Sequence, residues 1–124
     1  MNGSKIKVFT DLVAWQEGHK LVLILYRITQ KFPKEETYSL TDQMRRCVTS
    51  ITNNIAEGFS RRTKKEKMQY YYMSLGSVTE LQNQLIISKD LNYISLDDYG
   101  LVKDRTVFIH KLINGLIKSS QNYT

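Results

Sequence analysis

One cysteine, one proline, one tryptophan and two histidines are all that this 124-residue chain holds of those four residue types. A lone thiol, Cys47, forms no intramolecular disulfide and no cysteine-based zinc site, which suits a reducing compartment. His19 and His110 fall in separate helical patterns, and no group of acids completes a ligand set or a base–nucleophile arrangement around either. The expectation is a protein that is not an enzyme, with no catalytic residues, no metal and no cofactor. Long apolar runs are also missing, and so is the apolar core of a secretory signal, so the chain reads as cytoplasmic with no membrane partner. With Pro33 the single proline and little strand-like alternation, helical periodicity is the dominant signal.

What is present fits one globular domain over 1–124, its core running from Val8 to Ser119 with flexible ends. Four helices account for the pattern. The first follows Thr10 or Asp11 as N-cap and runs to about Lys31, before Pro33 stops it. The second opens at "SLTD", with Ser39 as cap and Asp42 in the capping-box position, and closes at Gly58 as a C′ glycine. The third opens at "TKKE", where Thr63 and Glu66 form a capping box, and extends to about Leu91. The fourth follows Ser95, with Asp97 and Asp98 well placed in its first turn, and ends in the "SSQNYT" tail. Connections of a few residues make sequential helices antiparallel, so the expected fold is all-α, an up-down-up-down four-helix bundle.

The first helix carries more apolar surface than one seam of a bundle uses. Leu12, Trp15, His19, Val22, Tyr26 and Thr29 form one stripe, and Ala14, Gly18, Leu21, Leu25, Ile28 and Phe32 a second. Together they span roughly 200° of the helix, about twice what a surface helix buries. Deep burial in a compact bundle is one reading; the favoured one is a subunit interface in a homo-oligomer. The second and third helices set polar lines beside their apolar stripes: Gln43, Arg46 or Cys47, Ser50, Asn54 and Glu57 on one, Ser74, Ser77 and Glu80 on the other. If these lines face inward, Arg46, Ser50, Asn54, Glu57, Ser77 and Glu80 form a buried polar network, with Arg46 paired to Glu57 or Glu80. A polar channel or catalytic carboxylate pair is the alternative, but no third group completes a reaction centre.

Charge is the other signal. Lysines and arginines outnumber acids 18 to 12, for a net charge of +6, and Arg61, Arg62, Lys64, Lys65 and Lys67 crowd into seven residues with Glu66 the one acid. The start of a helix carries partial positive charge, so cations there are unfavourable and their presence needs a reason. These five residues are the candidate nucleic-acid-binding set. Tyr70, Tyr71 and Tyr72 follow, and because consecutive helical residues lie 100° apart at least one faces outward, to stack on a base or to pack at a subunit boundary. The alternative is a structural or protein-interaction scaffold with an unknown protein partner, in which the basic loop is only a solvated turn.

Five segments in this chain together resemble the ribosomal-RNA intervening-sequence protein family: Leu12 to Trp15 as Leu-x-x-Trp, Pro33 to Glu36 as Pro-x-x-Glu, Leu40 to Arg46 as Leu-Thr-x-Gln-x-x-Arg, Ser50 to Gly58 as Ser-Ile-x-x-Asn-Ile-Ala-Glu-Gly, and Gly76 to Leu81 as Gly-Ser-x-x-Glu-Leu. The family pattern has a small, alanine-like residue where Cys47 stands. The resemblance implies a four-helix bundle assembling into a ring, commonly a homopentamer, whose open reading frames often lie inside insertions of large-subunit ribosomal RNA genes. It also implies kinship in fold with the accessory proteins of diversity-generating retroelements, which bind nucleic acid and a reverse transcriptase through a basic ring surface. The partners so implied are further copies of the chain and RNA or DNA.

Overall fold

The computed structural model describes residues 5–122; the outermost parts of the expected flexible ends lie outside the described residues. Four helices, α1 (Val13–Thr29), α2 (Leu40–Ser60), α3 (Lys64–Asp90) and α4 (Leu96–Ser120), are joined by short connections, with 3-10 turns at Phe9–Asp11 and Lys34–Glu36. Among the described residues there is no strand. The helices close a cycle in which α1 packs on α2, α2 on α3, α3 on α4, and α4 back on α1.

Local chemistry explains most of the helix ends. The Thr63 hydroxyl accepts the Glu66 backbone N–H at 3.2 Å and caps α3, while the Glu66 carboxylate accepts the Thr63 hydroxyl at 3.0 Å and not the Thr63 backbone N–H of the expected capping box. Ser95 accepts the Asp98 N–H at 3.1 Å and starts α4. The expected close of α2 at Gly58 gives way to a helix that runs on to Ser60, and two expected N-caps differ as well. Asp11 does not cap α1 but accepts the N–H groups of Lys7 and Val8, closing the short turn that precedes it. Ser39 does not cap α2 either: its hydroxyl donates to Glu36 at 2.6 Å, and that same carboxylate oxygen accepts the Leu40 N–H at 3.3 Å. A carboxylate with full charge outcompetes a hydroxyl for an unpaired helix N–H. The other Glu36 oxygen accepts the Tyr93 hydroxyl at 2.9 Å, tying the α1–α2 connection to the one between α3 and α4.

These donors, Ser39 first, then Tyr93 and the Leu40 N–H, hold the Glu36 carboxyl below its ordinary 4.5. A carboxyl lowered on folding contributes stability that is complete above its unfolded value and lost as pH falls through the folded one. Glu36→Gln is therefore expected to lower stability at neutral pH and to flatten the loss of stability between about pH 5 and pH 3, read as melting temperature against pH. A variant with the wild-type acid profile contradicts this role.

Of the two stripes on α1, the chain covers one. Ala14, Gly18, Leu21, Leu25, Ile28 and Phe32 are all buried. In the other, Leu12 and Thr29 are buried, Trp15 and Val22 are half-buried, and His19 and Tyr26 are exposed. Leu23 adds to this open face with more than half of its surface in solvent.

Between α2 and α3 the polar line is real but shorter than expected. Ser74 donates to the Ile51 carbonyl at 2.8 Å, Ser50 and Ser77 share a 2.7 Å hydroxyl contact, and the Cys47 thiol donates to the Ser77 carbonyl at 3.0 Å. Asn54 donates to the Ser50 carbonyl and hydroxyl. Burial, and secondarily the Glu80 charge, pushes the Cys47 thiol up to about 12, so it is an inert packing residue. Arg46 and Glu57 are not part of this network, and Glu80 meets it only at the Cys47 side chain; all three are exposed. Arg46 pairs with Asp42 and Glu57 with Arg61, each at 2.9 Å and four residues apart on the helix surface. Pairing along one helix in water avoids the desolvation of a buried ion pair, which is why the charges turn outward.

Candidate nucleic-acid interface

The basic cluster occupies the joint between α2 and α3, where two opposed helix ends meet. The last turn of α2 presents unpaired carbonyls and partial negative charge; the first turn of α3 presents the reverse. Lys67 uses the first of these. Its side chain folds back, only 8% of the residue exposed, and the ammonium donates to the Phe59 carbonyl at 2.8 Å and the Gly58 carbonyl at 3.4 Å. It also lies 5.4 Å from the centre of the Phe59 ring. Burial lowers its pKa from the ordinary 10.5. One cation of the cluster thus closes α2 from the far side of the joint.

Arg61 is held as firmly. Its guanidinium bonds Glu57 and the Tyr70 hydroxyl, each at 2.9 Å, and sits 4.7 Å over the Tyr70 ring. Arg62, Lys64 and Lys65 point to solvent, Lys64 with a 3.4 Å contact to the Gln121 carbonyl at the end of α4. The five expected site residues therefore divide: two build the joint, three present charge.

Three further cations converge on the same end. Ile6 lines a cavity of about 410 Å³ with Phe59, Lys67 and Tyr71 from the joint and Leu116 and Ser120 from α4. The segment before α1 therefore crosses this end of the bundle, placing Lys5 and Lys7, both exposed, beside the joint. Lys118, exposed in the last turn of α4, completes the set. Counting Lys5, Lys7, Arg61, Arg62, Lys64, Lys65, Lys67 and Lys118 against Asp11, Glu57 and Glu66, eight cations and three acids leave five of the six net positive charges at one end of the molecule. No sequence pattern marks Lys5, Lys7 or Lys118, because only the packing of the chain termini brings them to the loop.

The three consecutive tyrosines have separate fates. Tyr70 is covered by Arg61; Tyr71 is 3% exposed, its hydroxyl pushed up to about 12 by burial; Tyr72 is 54% exposed. Among the described residues, no group of three or more histidine, cysteine or acidic side chains is placed to hold a metal ion, and no helix is long and apolar enough to cross a membrane.

Residues 10–115 match the family model described as 23S rRNA-intervening sequence protein. No curated protein matches the chain. Among solved structures, a protein of unknown function from the S23 ribosomal protein family of Bacteroides thetaiotaomicron superposes with a TM-score of 0.80 at 20% identity, over 88% of this chain and 98% of that one. At that identity the likeness is one of fold.

Proposed function

The chain belongs to the 23S rRNA-intervening sequence protein family, and from that premise we propose that it is a non-enzymatic, self-associating protein that binds the phosphate backbone of RNA or DNA through its basic end. The observation that carries this reading is the convergence of chain start, α2–α3 joint and α4 end on one surface holding five of the six net charges. Lys67 and Arg61 shape that surface, and Arg62, Lys64, Lys65, Lys5, Lys7 and Lys118 meet phosphates. Such contacts release counterions, so binding is salt-sensitive and largely indifferent to base sequence. Fluorescence anisotropy of labelled RNA and DNA against the purified protein at low salt tests it. Saturable binding is expected; its absence leaves the basic end a solvated joint and gives the protein-interaction scaffold its place.

Self-association rests on the open face of α1. Trp15, Val22, Leu23 and Tyr26 stay partly or largely exposed on the same helix whose adjoining face fills the core. In this reading the up-down-up-down bundles assemble into a ring through that face, commonly of five, and the basic ends form one rim whose copies act together. Sedimentation velocity at micromolar concentration is expected to show a multiple of the 14.5 kDa chain mass. A monomer overturns the ring.

A further inference from the structure

We infer that the partner of the basic end is a base-paired duplex, contacted on its phosphates, and not a single strand; this rests on the nucleic-acid reading above. Proteins that take single strands without sequence preference combine cations with bare aromatic faces on which successive bases stack. Here the cations are present, and among the described residues the rings of the joint are already used. The Tyr70 face carries the Arg61 guanidinium and its hydroxyl accepts from the same group; the Phe59 ring carries the Lys67 ammonium; Tyr71 is buried. Tyr72 is exposed, but it lies seven residues beyond Lys65, roughly 10 Å up the wall of α3 at 1.5 Å per residue. Phe9, 37% exposed, meets Trp15 edge to face at 5.5 Å. Among the described residues, no row of stacking platforms runs beside the charges.

The layout of the charges points the same way. Lys5 and Lys7 lie on one segment, Arg62, Lys64 and Lys65 on a second, and Lys118 on a third, across the end of a bundle whose neighbouring helices are about 8–10 Å apart. A single strand offers one line of phosphates. A duplex offers two, separated by a groove, and a two-dimensional spread of lysine and arginine side chains meets both. Duplex readers of this kind recognise shape and backbone, leaving the base edges unread.

The test uses the full-length protein with a perfectly paired RNA duplex, a DNA duplex, and each component strand chosen to be unstructured, titrated at one salt concentration. Each duplex is expected to bind roughly tenfold more tightly than its own single strand, with a steeper salt slope. The triple variant Phe9→Ala, Tyr72→Ala, Tyr123→Ala, which includes an aromatic outside the described residues, is expected to bind every duplex like wild type. Single strands that bind as tightly as duplexes, or that lose affinity in the aromatic variant while duplexes do not, overturn the inference and leave the nucleic-acid reading standing. Binding of neither form overturns both.

Discussion

Gly58→Ala is expected to destabilise the protein by about 2 kcal/mol, lowering its melting temperature by roughly 8 °C, although alanine is the better helix former. Gly58 lies inside α2 with no positive φ, so it neither ends the helix nor serves a turn. Its role is space. A Cβ at this position would stand 2.6 and 2.8 Å from the Tyr71 ring and 3.2 Å from the Tyr70 Cβ. Tyr71 is buried in the core, so relieving those contacts means moving a packed ring, at a cost near the top of the usual overpacking range of about 3 kcal/mol. The propensity gain of about 1 kcal/mol offsets only part of it. Gly115, with nothing within 4 Å of a Cβ, supplies the contrast: Gly115→Ala is expected to stabilise by about 0.5–1 kcal/mol. Thermal melts of the two variants check the opposite signs, and Tyr71→Leu combined with Gly58→Ala should recover part of the loss. Equal and stabilising effects at both glycines contradict the close approach of α2 and α3.

The second large effect is on binding. Replacing Arg62, Lys64, Lys65, Lys5, Lys7 and Lys118 together by glutamine is expected to weaken nucleic-acid affinity roughly a hundredfold or more at low salt. It should also make the slope of log K against log salt shallower by about 0.9 for each lost duplex phosphate contact. Lys67 and Arg61 are left in place because they bond the α2 carbonyls and Glu57, so their loss would confound folding with binding. The six replaced residues are exposed, and surface changes of this kind alter stability by about 0.5 kcal/mol or less each. Removing Lys64 and Lys65 from the start of α3 relieves an unfavourable dipole interaction; removing Lys118 from the end of α4 gives up a favourable one. The variant should therefore melt near the wild-type temperature. Unchanged affinity shows that the charge at this end has no part in binding.

How much of this was legible in the sequence depends on how far apart the interacting residues are. The Thr63–Glu66 and Ser95–Asp98 caps join residues three apart and read directly from spacing. The true cap of α2 did not, because Glu36 is held in place partly by Tyr93, 57 residues away. Gly58 at the end of a periodic run resembles a terminator, and only the position of Tyr71 shows it to be a packing residue. The polar line on α2 was visible as a period, but a period does not say which side faces water. The acid–arginine spacings Asp42–Arg46 and Glu57–Arg61 were the available sign that those charges pair on the surface. At the basic end, Arg62, Lys64 and Lys65 stood out as neighbours in sequence. Lys5, Lys7 and Lys118 join them only through the packing of the chain ends, and the burial of Lys67 follows from the reversal of direction between α2 and α3.

Binding of nucleic-acid phosphates by the basic end has its sharpest test in the salt dependence of wild-type affinity. Titrating one RNA duplex at several salt concentrations between about 50 and 200 mM is expected to give a straight line of log K against log salt. Its slope should be about −3 or steeper, corresponding to at least three or four phosphate contacts. No binding at the lowest salt, or an affinity that does not change with salt, contradicts it.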